Sequence, residues 1–99
     1  MTSIIWADSM IKGMNKFDEL IGLIPKENVY RLRKNKDGAV AELIDGTVYR
    51  LVHATEANRG YKCDVAFVDK NIRENIMNCI VYPSVLVFGL PTDSKVKYF

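Results

Sequence analysis

Asp69 is the residue whose placement most suggests chemistry. It ends the apolar-rich run Cys63-Asp64-Val65-Ala66-Phe67-Val68 and is followed by Lys70. Where a buried strand of a parallel sheet stops, its first polar residues border the crevice in which open α/β sheets bind ligands. A second apolar run, Val85-Leu86-Val87-Phe88, stops at Gly89-Leu90-Pro91, so Asp69 and the Gly89 loop are the candidate walls of a ligand crevice. The same residues also fit a plainer role, in which Asp69 caps the following helix and Gly89-Leu90-Pro91 makes a turn.

Catalytic groupings are weaker. Asp64, Asp69 and Lys70 imitate the carboxylates and lysine of a metal nuclease, but the two aspartates are five residues apart, on opposite faces of a strand. His53 is the only histidine and there is no Cys-x-x-Cys pair, so no zinc set forms. Cys63 and Cys79 lie in or beside apolar segments, which predicts reduced, buried thiols rather than activated nucleophiles.

The basic residues offer a different chemistry. Lys26, Arg31, Arg33, Lys34 and Lys36 fall within eleven residues, and Arg50, Arg59 and Lys62 follow in segments that can adjoin them. Arg31 and Arg33 share one face of a strand, and Tyr30, Tyr49 and Tyr61 supply aromatic surface. This combination suits sequence-independent contact with nucleic-acid phosphates. The other reading is a solvated strand face balanced by Glu27, Asp37 and Glu42. The net charge of +2 is too small to decide between them.

These residues must be positioned by one small domain. The chain has 99 residues, 48% hydrophobic and 26% charged, which excludes a disordered tail, a collagenous chain and a low-complexity linker. Trp6, Met10, Met14, Phe17, Ile21 and Ile24 recur at spacings of three and four, an apolar helical stripe ended by Pro25. Its start is expected at about Asp8, with residues 3 to 7 open between helix and a brief strand. Val29 to Lys34, Ala39 to Ile44 and Thr47 to His53 alternate polar with apolar residues and are separated by two Asp-Gly reversals, which predicts an antiparallel meander. Cys63 to Val68, a short helix over Asn71 to Cys79 closed by Pro83, and Val85 to Phe88 predict two parallel buried strands joined by a crossover. Thr92 to Phe99 reads as a polar tail that frays. The expected fold is a single α/β domain over residues 1 to 99: a mixed sheet with an antiparallel meander and a parallel strand-helix-strand unit, packed by the N-terminal helix.

The order of helix, strands, Asp45-Gly46-Thr47, Arg59-Gly60, a buried strand ending in Asp69, a helix and "VLVFGLPT" (Val85 to Thr92) resembles the middle of P-loop ATPases of the phage terminase large-subunit and helicase type. The resemblance implies a Walker B-like strand ending in Asp69, whose family counterpart holds magnesium through water, followed by a coupling strand. Two departures matter. No G-x-x-x-x-G-K-[ST] loop is present to cradle phosphates, and Lys70 stands where the family has a water-positioning glutamate. The resemblance thus implies a degenerate, phage-encoded relative that does not hydrolyse ATP alone. The expected function is a non-catalytic binding module without metal or cofactor. Its partner is expected to be another protein or its own copy first, and nucleic acid second. With no apolar run of membrane-spanning length and no secretory signal in the sequence, a cytoplasmic location away from membranes is expected.

Overall fold

Ile4-Ile5-Trp6-Ala7 form the centre of the sheet. In the computed structural model, which describes residues 1–87, 90–91 and 95–99, strand β1 (Thr2–Ala7) is buried on both faces from Ser3 to Ala7. Helix α1 (Met10–Gly22) follows. The chain then continues through β2 (Val29–Asn35), β3 (Gly38–Leu43) and β4 (Val48–His53) to β5 (Val65–Val68). The next helical run joins an α-turn over Glu74–Ile76, a π-turn over Met77–Val81 and an α-turn over Tyr82–Ser84, together α2. Strands β6 (Leu86–Val87), β7 (Leu90–Pro91) and β8 (Val96–Tyr98) complete the chain.

The main sheet is mixed and six-stranded, in the order β2-β3-β4-β1-β5-β8. Strands β4, β1, β5 and β8 are mutually parallel, and β2-β3-β4 form the antiparallel meander expected from the two reversals. Those reversals differ in kind. Gly46 has a positive φ of 90°, the left-handed conformation glycine tolerates, whereas Gly38 already belongs to β3. In each turn an Asx side chain accepts from the backbone two residues on: Asn35 from Asp37 and Asp45 from Thr47.

Several expectations are corrected. Residues 3 to 7 are strand, and Trp6 belongs to β1 rather than to the helical stripe. Ser9, one residue past the start expected at Asp8, caps α1, its hydroxyl accepting from the Lys12 N–H. Pro83 does not close α2. The ladder widens before it, with Tyr82 N–H bonded to Met77 O five residues back, and the helix runs on to Ser84. Of the expected second parallel strand, Phe88 lies outside the described residues, and Leu86–Val87 pair antiparallel with Leu90–Pro91 in a separate ribbon. Val96–Tyr98, in the segment expected to fray, is the strand beside β5. Phe99 secures that edge, donating to Val68 O at 2.9 Å and accepting from Lys70 N at 3.0 Å.

Two apolar layers sandwich the sheet. On one face α1 packs Met10, Met14, Phe17 and Ile21 against Ile5, Ala7, Ala39, Ala41 and Leu51. On the other α2 packs Ile76, Met77, Ile80 and Val81 against Ile4, Trp6, Ala66 and Val68. Gly13 sets how closely α1 approaches. A Cβ there would meet Ala7 Cβ at 2.5 Å and Leu51 Cδ1 at 2.8 Å, both inside contact distance.

Gly13→Ala therefore overpacks the interface by more than the ~1 kcal/mol that alanine gains over glycine in a helix. Urea unfolding should show a net loss of about 1 kcal/mol. Gly22→Ala, at the exposed end of the same helix with no atom near its would-be Cβ, should be neutral or stabilising. Equal effects at the two positions would contradict the seating of α1.

Candidate functional site

The connections leaving β1 and β5 diverge. From β1 the chain enters α1 on one face and returns through the meander to β4, while from β5 it enters α2 on the opposite face and reaches β8. Ligands of open α/β sheets bind at the carboxyl ends of strands at such a switch point. Asp69 stands there, with none of its surface exposed. Its Oδ2 accepts from the backbone N–H of Asp8 (3.2 Å) and Ser9 (3.4 Å), and its Oδ1 from Asn71 N–H (3.0 Å) and Lys12 Nζ (3.1 Å). The carboxylate is therefore an internal clamp: both oxygens are engaged, and they join the end of β1, the start of α1 and the turn after β5. It does not cap α2, which begins five residues later, at Glu74.

Burial alone would raise the pKa of Asp69. The Asn71 N–H, the Lys12 ammonium and the N–H groups of Ser9 and Asp8 outweigh it and hold the carboxyl below its usual value. Lys12 was not singled out from the sequence, although a signal existed. A lysine in the first turn of a helix opposes the helix dipole and needs a nearby anion, and that turn holds no acidic residue of its own.

The other crevice wall, Gly89, lies outside the described residues. Asp64 sits at the opposite end of β5, where its Oδ2 accepts from Thr2 N–H at 2.8 Å, so it does not meet Asp69. Among the described residues no cluster of three metal-ligating side chains occurs. Cys63 is half-buried and its thiol is pushed up chiefly by desolvation, whereas Cys79 is exposed rather than buried as expected.

The basic set divides. Arg31 and Arg33 lie opposite Glu42 and Val40 of β3, and Val40 also lies opposite Arg50 of β4. Arg31, Arg33 and Arg50 therefore project from one face of the sheet, the face that carries α2 over its other half. Lys34 projects from the α1 face and pairs with Asp18 at 2.7 Å. Lys26 borders a groove on that same side. Lys36 and Arg59 are exposed in turns, and Lys62 donates to Pro83 O at 3.4 Å. Among the described residues the ion pairs are Lys12–Asp69, Lys16–Glu19 and Lys34–Asp18, and none of them involves Arg31, Arg33 or Arg50.

The tyrosines are dispersed. Tyr49 is half-buried under α1, and Tyr30 lies at the sheet edge with the Arg31 guanidinium 5.9 Å from its ring centre. Tyr61 stands edge-to-face with Trp6, ring centres 6.1 Å apart, and lies 5.6 Å from the Arg50 guanidinium.

Strand β2 is the second exposed feature. It forms one edge of the sheet, and every residue from Tyr30 to Asn35 is exposed. A bulge at Tyr30 shifts the register between Val29 and Arg31. Beside it, on the α1 face, Phe17, Ile21, Ile24, Val29 and Leu32 line an apolar groove of about 560 Å³. Among the described residues no helix is long and apolar enough to cross a membrane. Comparison with family models, curated proteins and solved structures gave no match.

Asp69→Asn replaces an acceptor-only group with one that offers N–H to N–H donors, and it should cost about 2 kcal/mol in urea unfolding. Because the folded pKa of Asp69 is lowered, its contribution is full above the ordinary aspartate range. It should fade as pH falls from about 4 through the lower folded value. The stability gap between wild type and Asp69→Asn should therefore narrow on acidification. A gap independent of pH would contradict the clamp.

Proposed function

We propose that this chain is a non-catalytic binding module that recognises a partner protein by adding an extended segment of that partner to the free edge of β2. The observation that carries this reading is the edge itself. From Arg31 to Asn35 one row of backbone N–H and C=O groups has no neighbouring strand among the described residues, and the side chains on both faces are exposed. Such an edge is a template for strand addition.

The side chains select the occupant. Arg31 and Arg33 line one face and Leu32 the other, where it continues the groove formed by Phe17, Ile21 and Ile24. An added strand with acidic residues on one face and apolar residues on the other would match both. A second copy of β2 would instead set arginine near arginine, and like charges on paired strands destabilise. The bulge and the basic residues thus guard the edge against pairing with itself. The buried state of Asp69 and the absence of a Walker A loop from the sequence support a binding role over ATP hydrolysis.

A synthetic peptide of alternating acidic and aliphatic residues should slow amide hydrogen exchange across Arg31 to Asn35. Leu32→Glu, which alters the edge while keeping β2 in place, should weaken that binding at least tenfold, a loss of about 1.4 kcal/mol. A basic-aliphatic peptide of equal length should not protect these amides. Unchanged exchange with the acidic peptide, or protection that grows with protein concentration alone, would count against the reading. The latter would point to self-association through β2.

A further inference from the structure

The face opposite the apolar groove carries a site of its own. Arg33, Val40 and Arg50 form one row across β2, β3 and β4, so the two arginines flank a small aliphatic residue. With adjacent strands ~4.8 Å apart, their Cα atoms are about 10 Å apart and both side chains rise from the same face. In the next row Asn35 faces Gly38, where the Leu51 carbonyl comes so close that a Cβ would lie 2.8 Å from its oxygen. The loop after β4 supplies the far wall through Asn58 and Tyr61, enclosing a cleft of about 290 Å³.

The cleft is net positive, with two arginines against one aspartate. Arg33 and Arg50 have no carboxylate partner among the described residues, and Asp37 is the only acidic residue among those lining it. The position of Arg50 is also fixed. It is half-buried, and Tyr61, itself braced edge-on by Trp6, lies 5.6 Å from its guanidinium. Because Tyr61 is engaged by both neighbours, it positions the arginine rather than offering a free ring for a base. A site of this kind reads charge and fork geometry: planar guanidinium groups match the oxygens of a phosphate in pairs.

We infer that Arg33 and Arg50 clamp a phosphate group over Val40, with Tyr61 as a positioning residue for Arg50. The ligand chemistry is a phosphate oxyanion, whether on a free nucleotide or in the backbone of single-stranded nucleic acid. Recognition is independent of the base. This site shares Arg33 with the free edge of β2 but does not include Leu32, so Leu32→Glu leaves the cleft residues unchanged.

Trp6 is the only tryptophan and touches Tyr61, so its fluorescence reports on the cleft. Titration with inorganic phosphate, a nucleoside monophosphate and a short oligothymidylate should change that signal for at least one of them. Saturation by phosphate or the monophosphate identifies a small-ligand site. Response to the oligonucleotide alone, with affinity falling as salt rises, identifies a nucleic-acid backbone site. Either outcome supports the clamp. Arg33→Ala and Arg50→Ala should each weaken binding at least tenfold, and on the oligonucleotide each should reduce the log-log salt slope by about 0.7. Arg50→Lys, which keeps the charge but loses the fork, should also weaken binding. Arg31→Ala, one row away beside Glu42, should change affinity less than twofold. Circular dichroism and the urea midpoint would confirm that each variant folds. No response to any of the three ligands would overturn the inference, as would an Arg31→Ala loss equal to that of Arg33→Ala, which would indicate diffuse charge attraction.

Discussion

The carboxylate of Asp69 is the constraint around which the rest of this fold is arranged. Four donors from three segments converge on two oxygens with no exposed surface. A buried carboxylate is costly unless each lone-pair direction is satisfied, and here the backbone supplies most of the donors. That arrangement fixes where β1 stops, where α1 starts and how the chain leaves β5. Its negative charge lies beside the first turn of α1, where the helix dipole favours an anion and where Lys12 would otherwise be unfavourable. The same carboxylate fills the position where an open α/β sheet usually receives its ligand. The exposed basic and apolar features lie instead on the far half of the sheet, across β2, β3 and β4.

The parts of the fold legible in the sequence were those with local signals. Alternation and paired Asx-Gly turns placed the meander to within a residue or two at each strand. The apolar quartet Val65 to Val68 marked a strand, and β5 is that strand, buried on the α2 face through Ala66 and Val68 and half-buried on the other at Val65 and Phe67. Ile4-Ile5-Trp6-Ala7 carries the same signal. It was obscured because Trp6 is also in phase with the helical stripe that begins at Met10, so two periodicities competed over the same residues. The second parallel strand was misplaced for the opposite reason. Val85 to Phe88 has the composition of a central strand, whereas β8 is a three-residue edge strand, Val96–Tyr98, whose exposed Lys97 and Tyr98 give it no apolar signature. Its position depends on pairing with β5, which is tertiary information.

The candidate site was legible in residue type and illegible in arrangement. Asp69 was marked as the polar end of a buried strand, which is correct, but the partners that turn it inward come from residues about sixty positions earlier. The basic residues were identified as a cluster in sequence, yet strand pairing separates Lys34 from its neighbours and brings Arg50 opposite the same valine as Arg33. Sequence proximity is a poor guide in a strand, because adjacent residues face opposite ways. Register across the sheet is what assembles a site there.

That register also ties the two exposed surfaces together. The α1 face of the meander is covered through Ala39, Ala41 and Leu51, whose small or flat surfaces admit the helix closely. Among the described residues the opposite face has no helix over β2 and β3, and its half-buried Val40 and Arg50 are shielded by the loop bearing Tyr61. Arg33 belongs to both the uncovered face and the free edge. An acidic strand added at β2 would draw on the charge of Arg33, and a phosphate in the cleft would do the same from the other side. Two ligands that share one cation oppose each other, and by linkage each must weaken the other by the same factor. Leu32 and Arg50, which belong to one surface each, do not carry that coupling. The antagonism would therefore be concentrated in a single side chain at the edge of the sheet.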